Sequence, residues 1–453
     1  MTFAPLTVTL REPAHVPVDL ASGLAYLVCA IVVGLLTRRR PAYGVAALLV
    51  LAPFDLARYV GPTTMTLLKA GLVGLLAALV LRGPDIAALR TAPVRAMLAA
   101  FALLLAAIAL SLLHAGDRGA VLREGLKWVE YAVLFVGAAV AYATDPDERP
   151  FWRALELVVT LVALSALAEY ALGAHSGMYI GGRLGGAYVP RIAGFLEGPN
   201  QLAGFFDVTI PVLVARALVH RDRTLVAVIA LAAITDLGTL SRAGFCGAVI
   251  GVIVTVVMLR PGRAVALVGA GAAVIALAGV ALALRAGVPA GYFSLATQTQ
   301  SSDHLGNRAE LWQAAIALWR ASPIVGVGAG NYELDLAQAG LVGVRTHANS
   351  LYLQSLAEGG IVGLAATLAT LAITVLTLLR SAVRRPLVVG ALGATSALAV
   401  HQIADYLVFF PKVGSVYWLV LGVAIAELAA RRLLEDRRAA AFAGAAYAGV
   451  AAR

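Results

Sequence analysis

Long apolar stretches recur along the whole chain and are separated by short polar or basic segments. A membrane-spanning helix needs roughly 20 mostly apolar residues, and about thirteen windows come close to that length. The windows lie at 19–37, 42–57, 63–81, 96–114, 126–144, 154–173, 202–219, 224–240, 243–259, 264–285, 351–379, 387–404 and 413–430. The pattern predicts an all-α polytopic membrane protein with about 12 or 13 transmembrane helices. The second window is short and contains Pro53 and Asp55, so a re-entrant or half-buried segment is an alternative there.

The composition leads to the same class. Of the 453 residues, 61% are hydrophobic and 13% are charged, whereas soluble domains are roughly half apolar and about a quarter charged. An excess of apolar residues on this scale indicates a protein whose outer surface faces lipid. The net charge of +10 does not indicate nucleic-acid binding, because basic residues accumulate in the cytoplasmic loops of membrane proteins.

Basic residues give the predicted spans a direction. The run 38–40 (RRR) follows the first window, and counting alternate loops from there places 20 of the 35 Lys and Arg residues on one side. That side is predicted to be cytoplasmic, with the N-terminus outside and the C-terminus inside. The chain then divides into N-terminal transmembrane helices (1–173), a transmembrane core (174–430) and a cytoplasmic tail (431–453).

Two long connections fall on the predicted outer side, at about 174–201 and 286–350. Within the second, Asn307–Ala321 has helical periodicity but is too short and too charged to span a bilayer, so it is predicted to lie at the outer interface. Its apolar stripe consists of Leu311, Ala315, Leu318 and Trp319. The Pro- and Gly-rich sequence SPIVGVGAGNYE follows as a turn region.

Polar groups at the outer mouths of the spans are the candidate functional residues, because charged side chains at membrane depth are costly. The first group is Arg191, Glu197 and Asn200, just before the window at 202. The alternative is that Arg191 only extends to lipid headgroups and Asn200 only caps a helix. The second group, Thr239–Arg242, also fits a plain hairpin between two spans.

The next two groups flank the turn region. Asn307 and Arg308 start the predicted outer helix. An Arg at a helix start opposes the helix dipole, which indicates that something else holds it there. The alternative is that both residues belong to a solvated helix face. Arg345, His347 and Asn349 lead into the window at 351. A His at such a mouth can be neutral near pH 7 and accept a proton from an incoming hydroxyl, or it can be purely structural.

The last candidates lie at or inside the ends of later spans. Glu358 is placed one turn inside its window, where it is expected to pair with a cation or to be protonated. A fifth group occupies the outer end of the window at 387–404: His401, Gln402, Asp405 and Tyr406. Two possible ligands do not make a metal site, so this group is predicted to be a hydrogen-bonded support.

The topology is assigned from the cytoplasmic charges alone. It places five of these residues on the outer side: Arg191, Arg242, Arg308, Arg345 and His347. Arginines recognise phosphate oxygens, so the pattern suits a phosphate-bearing substrate with a group to be deprotonated. The sequence contains no P-loop and no suitably spaced acidic pair on the outer side. An ATP-driven step and a metal-dependent Asp-x-Asp glycosyltransferase are therefore disfavoured, and we expect no cofactor or metal.

At these residues the sequence resembles the O-antigen ligase and O-antigen polymerase superfamily of bacterial inner-membrane glycosyltransferases. The resemblance covers about 190–422 and is most specific in two stretches, GNRAELWQAAIALWRASPIVGVGAGNYE at 306–333 and THANSLYLQSLAEGGIVG at 346–363. Further matches are RIAGFLEGPNQLAGFF at 191–206, LSRAGF at 240–245 and HQIADYLVFFPKVGSVYWLVLG at 401–422.

The resemblance implies a GT-C-type glycosyltransferase that works without metal or nucleotide and inverts the sugar. It implies transfer of a glycan from an undecaprenyl-pyrophosphate carrier to an acceptor hydroxyl at the outer, periplasmic face of the inner membrane. The acceptor is lipid A core for a ligase and another carrier-linked glycan for a polymerase. The sequence NSLYLQ slightly favours the polymerase. Membrane lipids are the other expected partners, and nucleic acid is not expected.

By position, the resemblance implies that Arg191 and Arg308 bind the pyrophosphate and that His347 is the general base. The expected substrate-binding residues are Arg242, Asn200, Arg345, Asn349, Glu358 and Asp405. The chain departs from the family at one point, since family members often place His directly before the Asn. Here Ala348 holds that place, and His347 stands two positions before Asn349.

A transporter or flippase is the alternative from another class. Such proteins are expected to show repeated halves and broken helices near the midplane, whereas the polar groups here lie at the outer mouth beside the external segment 286–350. A structural scaffold of the cell envelope explains the hydrophobicity but not the clustered arginines.

Overall fold

The computed structural model describes residues 17–54, 56–60, 63–84, 86–172, 191–220, 222–259, 308–380 and 385–430. The described helices are α1 Leu20–Arg39, α2 Pro41–Leu51, α3 Leu67–Arg82, α4 Ala92–Ser111, α5 Arg118–Thr144, α6 Arg149–Ala171, α7 Pro199–His220, α8 Arg223–Thr239, α9 Arg242–Leu259, α10 Arg308–Ala321, α11 Tyr332–Asp335, α12 Leu351–Leu379, α13 Pro386–His401 and α14 Pro411–Ala430. Short 3-10 helices lie at Ile86–Arg90 and Leu407–Phe409, and β1 Arg58–Val60 pairs antiparallel with β2 Thr63–Met65.

Eight helices in these ranges are long and apolar enough to cross a membrane: α1, α4, α5, α6, α7, α9, α12 and α14. Four more of the predicted windows form helices of 11 to 17 residues, namely α2, α3, α8 and α13. The remaining window, 264–285, and the tail 431–453 lie outside the described residues. The prediction of an all-α polytopic membrane protein is confirmed.

The window at 42–57 does not form a spanning helix. α2 is only 11 residues long and ends at Leu51, and Pro53, which has no N–H, cannot extend its hydrogen-bond ladder. The chain then enters the β1–β2 hairpin, which the Tyr26 hydroxyl ties to α1 by donating to Leu56 O at 2.6 Å and Met65 O at 3.0 Å. The half-buried alternative fits this segment, since most of α2 is buried.

Contacts between loops follow the predicted alternation of the spans. At one end Arg40 pairs with Asp145 at 2.8 Å and Asp147 at 3.0 Å, so two loops predicted to be cytoplasmic meet. At the other end Asp117 N donates to Asn331 Oδ1 at 2.7 Å and joins two loops predicted to be outer. The two predicted sides thus correspond to two ends of the helix set, while their assignment to cytoplasm and exterior stays a prediction.

α12 is broken near its start, and a loop fills the break. Gly360 has φ 61° and ψ −156° inside the helix, a conformation that glycine adopts most readily. Across the break, Val327 N donates to Ala357 O at 3.0 Å and Ile361 N donates to Pro323 O at 2.9 Å. The loop 323–328 therefore satisfies backbone groups that the helix cannot pair itself, as lipid-embedded backbone requires.

The predicted outer helix is confirmed as α10. One face of α10 is buried and carries Leu311, Ala314, Ala315 and Leu318. This agrees with the predicted stripe, except that Trp319 is partly exposed. This face packs within the protein, in a cluster that includes Val327, Tyr332 and Ala357. The location of α10 at a membrane interface stays a prediction.

We predict that Gly360→Ala destabilises the protein strongly while Gly359→Ala does not. A Cβ at Gly360 collides with the backbone of Ile324 and Val325 and forces a left-handed conformation on Ala, at a cost of at least about 2 kcal/mol. A Cβ at Gly359 meets nothing within 4 Å. Thermal unfolding in detergent, followed by tryptophan fluorescence, measures the difference, and equal melting temperatures would contradict the role given to the break.

Candidate active site

One end of the helix set gathers the candidate residues from segments far apart in the chain. The contributing parts are the start of α5, the segment 191–200 before and at α7, the α8–α9 turn, the start of α10, the loop before α12 and the segment 401–410 after α13. Each of these parts was predicted to lie on the outer side. The side chains there form a cationic face and a neighbouring pocket.

The cationic face begins with Arg191, which is held in place by a hydrogen-bonded chain. Its Nε donates to Thr239 O at 2.7 Å, and its Nη2 donates to Asn200 Oδ1 at 2.6 Å. Asn200 Nδ2 in turn donates to Asp405 Oδ2 at 2.6 Å, and Asp405 is only 1% exposed. Asn200 lies inside α7 and its side chain links Arg191 to Asp405, so Arg191 is positioned rather than simply extended towards headgroups.

Arg308 and Arg242 belong to the same face. Burial lowers the pKa of the Arg308 guanidinium, nearby Asp405 counteracts this, and Arg242 lowers it further. In the part of the chain that the structure describes, no carboxylate lies within ion-pair distance of Arg308 or Arg242. Cations placed close together without such a partner favour the binding of an anion.

His347 lies beside this face in an aromatic surround. Its ring centroid is 6.1 Å from that of Tyr406, 5.7 Å from Phe409 and 5.6 Å from Phe410. Burial lowers the pKa of His347, Asp405 counteracts the shift and Arg308 reinforces it. The ring is therefore expected to be neutral at pH 7.

A backbone contact fixes which nitrogen of this neutral ring carries the proton. Asn349 N donates to His347 Nδ1 at 3.1 Å, and Asn349 has a φ of 48°, which few residues other than Gly adopt. Since Nδ1 accepts a hydrogen bond, the neutral ring carries its proton on Nε2. His347 thus presents an N–H donor at Nε2.

Glu358 and Gln354 support the loop around this site. Glu358 Oε1 accepts from Gln354 Nε2 at 2.8 Å and from Tyr332 N at 3.2 Å, while Gln354 Oε1 accepts from Ala348 N at 2.7 Å. The partners of Glu358 among the described residues are neutral N–H groups rather than a cation. The sequence predicted that Glu358 either pairs with a cation or is protonated. The protonated form therefore stays as the prediction.

The group around His401 is a buried support, as the sequence suggested. His401 Nδ1 is 2.6 Å from Asp207 Oδ2, and its Nε2 is 3.5 Å from Ser241 Oγ. His401 and Asp207 are both fully buried, so neither can touch a substrate. They join α7 and α13 to the turn that carries Thr239, the residue that accepts from Arg191.

Arg345 and Glu197 are exposed in this arrangement. Arg345 lies on the loop two residues before His347, and its role in substrate binding stays a prediction. Asn307 falls outside the described residues, so nothing in the structure tests its part in the site.

Sequence reasoning missed the residues of α5 that complete the pocket. A small pocket lies next to His347. Its lining residues are Glu124, Gly330, Glu333, His347, Gln354, Glu358, Tyr406 and Phe409. The predicted span began at 126, after Glu124, whereas α5 begins at Arg118 with Asp117 as its cap. The cap signal at Asp117 was the available clue to Glu124.

A second, more apolar cavity adjoins the first pocket and shares Glu124, Glu358 and Tyr406 with it. It extends between α4, α5 and α12 and is lined there by Leu104, Ala107, Ile108, Trp128, Leu351, Gly359, Gly363 and Thr367. The site thus has a cationic face, a polar pocket and an apolar extension.

Comparison with known proteins supports the resemblance seen in the sequence. A family model described as O-antigen ligase matches residues 227–368. The matched region includes Arg242, Arg308, Arg345, His347, Asn349 and Glu358. The match confirms the resemblance to the O-antigen ligase and polymerase superfamily, and it supports glycosyl transfer of this general type by a multi-pass membrane protein. No curated protein matches the chain.

We predict that His347 is a neutral Nε2–H ring at pH 7 and takes up a proton only below the usual histidine range of about 6.5. The sign follows from burial, which disfavours the charged ring and lowers its pKa. Ring ¹⁵N shifts of histidine-labelled protein measure both the tautomer and the titration, and the H347Q variant identifies the signal. An Nδ1–H pattern, or protonation above 6.5, would contradict the described geometry.

Proposed function

We propose that this protein, whose residues 227–368 match the O-antigen ligase family, is a metal-independent inverting glycosyltransferase. It transfers a glycan from an undecaprenyl-pyrophosphate carrier to an acceptor hydroxyl at the outer face of the bacterial inner membrane. The observation that carries the proposal is the convergence of Arg191, Arg242, Arg308 and His347 at one end of the helix set.

The arginines are assigned to the pyrophosphate. As the sugar–phosphate bond breaks, negative charge grows on the phosphate oxygens, and cations already in position stabilise that charge most. Arg308 is half-buried and has no carboxylate at ion-pair distance among the described residues, so its charge is available to the leaving group. Arg191 is oriented by Thr239 and Asn200, which reduces the cost of ordering it when the donor binds.

Inversion requires the acceptor hydroxyl to attack the anomeric carbon from the side opposite the pyrophosphate. The small pocket beside His347 offers a place for that hydroxyl next to the cationic face. His347 is proposed as a catalytic residue that contacts the reacting oxygens. The adjoining apolar cavity provides a surface that suits lipid.

The acceptor separates two versions of the function, a polymerase and a ligase. We predict that deletion of the gene leaves one of two glycan patterns on an envelope gel. Single-repeat products indicate a polymerase, and long chains that remain on the lipid carrier indicate a ligase. An unchanged pattern would contradict both, and loss of all glycan from the outer face would favour a flippase.

We predict that Arg191→Ala and Arg308→Ala abolish glycan transfer by the purified protein when it is given a lipid-linked donor. Each removes a cation that stabilises the departing pyrophosphate, and removal of one such group typically costs about 100- to 1,000-fold in rate. Release of the lipid pyrophosphate, followed by chromatography, measures the reaction.

Arg320→Ala is the matched control for this test. Arg320 lies on the same helix as Arg308 but is exposed in its last turn, away from the site residues. The control is expected to keep full activity. Full activity in either site variant would remove the basis for the pyrophosphate assignment.

A further inference from the structure

His347 is not arranged to accept a proton at Nε2. The Asn349 amide donates to its Nδ1 at 3.1 Å, so a neutral ring has no free lone pair at Nε2. For the ring to act as a base at Nε2, the proton would have to lie on Nδ1, where it would oppose the Asn349 N–H. The acceptor proton must therefore go to another group in the same pocket.

We infer that Glu124 is the general base of the transfer and that His347 donates a hydrogen bond to the reacting oxygens through Nε2–H. This inference rests on the proposed function and assigns a base for that reaction. Glu124 and His347 line the same small pocket. Carboxylates serve as general bases when they reach the hydroxyl directly.

The contacts of Glu124 hold one of its oxygens and leave the other for the acceptor. Oε1 accepts from Lys127 Nζ at 2.8 Å, Trp128 Nε1 at 3.1 Å and the Tyr406 hydroxyl at 3.4 Å. All three donors converge on Oε1, so the carboxylate is anchored while Oε2 is not engaged by them. Anchoring through one oxygen is the arrangement that positions a base without occupying its second oxygen.

Tyr406 connects this base to the cationic face. Tyr406 N donates to Asp405 Oδ1 at 2.7 Å, and Asp405 Oδ2 accepts from Asn200, which orients Arg191. The Tyr406 hydroxyl reaches Glu124. Two neighbouring residues of one chain segment thus link the base and Arg191, which lie on either side of the place assigned to the sugar.

The other candidate bases are engaged or remote. Glu358 uses its side chain to hold Gln354 and the Tyr332 amide. His401 is fully buried between Asp207 and Ser241. Glu197 is exposed and is not among the residues that line the pocket.

The step balances without a further reactant. The acceptor O–H bond breaks and its proton passes to Glu124 Oε2, while the acceptor oxygen forms a bond to the anomeric carbon. The bond between that carbon and the pyrophosphate oxygen breaks, and its electron pair leaves with the lipid pyrophosphate. The proton on Glu124 is released to solvent before the next turnover.

The test uses azide, an anionic nucleophile that needs no deprotonation, as a substitute for the acceptor. With the full-length protein and a lipid-pyrophosphate donor, E124Q is expected to lose transfer to the sugar acceptor by at least about 100-fold. The same variant is expected to keep the wild-type rate of azide-dependent release of lipid pyrophosphate, with formation of the glycosyl azide. Retention of the azide reaction also shows that the variant is folded.

E130Q is the matched control on the same helix. Glu130 pairs with Lys69 at 3.0 Å and does not line the pocket, so E130Q is expected to keep both reactions. For His347 we expect H347Q, whose amide can still donate at the Nε2 position, to retain more transfer than H347A.

Four results would overturn the assignment. The first three are full sugar transfer by E124Q, loss of both reactions in E124Q, and equal loss in H347Q and H347A with normal transfer in E124Q. Loss of transfer in E333Q together with normal transfer in E124Q would move the base to Glu333 and would also overturn it. If the wild-type protein releases no lipid pyrophosphate with either nucleophile, it is the proposed function that fails.

Discussion

The site depends on a single interruption in α12. At Gly360 the helix leaves its regular path, and the loop 323–328 supplies the backbone partners that the break exposes. Because unpaired backbone groups are too costly in an apolar surround, the loop and the break can exist only together. That pairing also places Gly330 and Asn331 against the start of α5, where Asn331 accepts from Asp117 N. The position of the pocket between α5 and α12 follows from this contact.

Charge is divided across the site. The cationic face carries Arg191, Arg242 and Arg308, while the adjoining pocket carries carboxylates, and Asp405 and Tyr406 lie at the boundary between them. A substrate with phosphate at one end and neutral sugar at the other fits such a division, because phosphate is attracted to one side and repelled by the other. Such a division would give a substrate of this kind one orientation.

The sequence allowed the helical membrane class, the two sides of the helix set and most residues of the cationic face to be predicted, since apolar length and basic loops are direct signals. It did not allow the link from Asn200 to Asp405 to be predicted, because residues 205 positions apart meet only through tertiary packing. Glu124 was missed for a different reason, since the predicted apolar window began at 126 whereas helix α5 begins at Arg118. The hydrogen bond from Asn349 to His347 depends on one left-handed residue, which no periodicity reveals.

The hydrogen bond between Asn200 and Asp405 also bears on biosynthesis. Asn200 enters the membrane at the start of α7, long before the segment that follows α13 has been synthesised. Until then Asn200 and Arg191 have no Asp405 to complete their chain, and His347 lacks Tyr406, Phe409 and Phe410. A partly inserted chain therefore cannot assemble these contacts until the segment that follows α13 has joined the other helices.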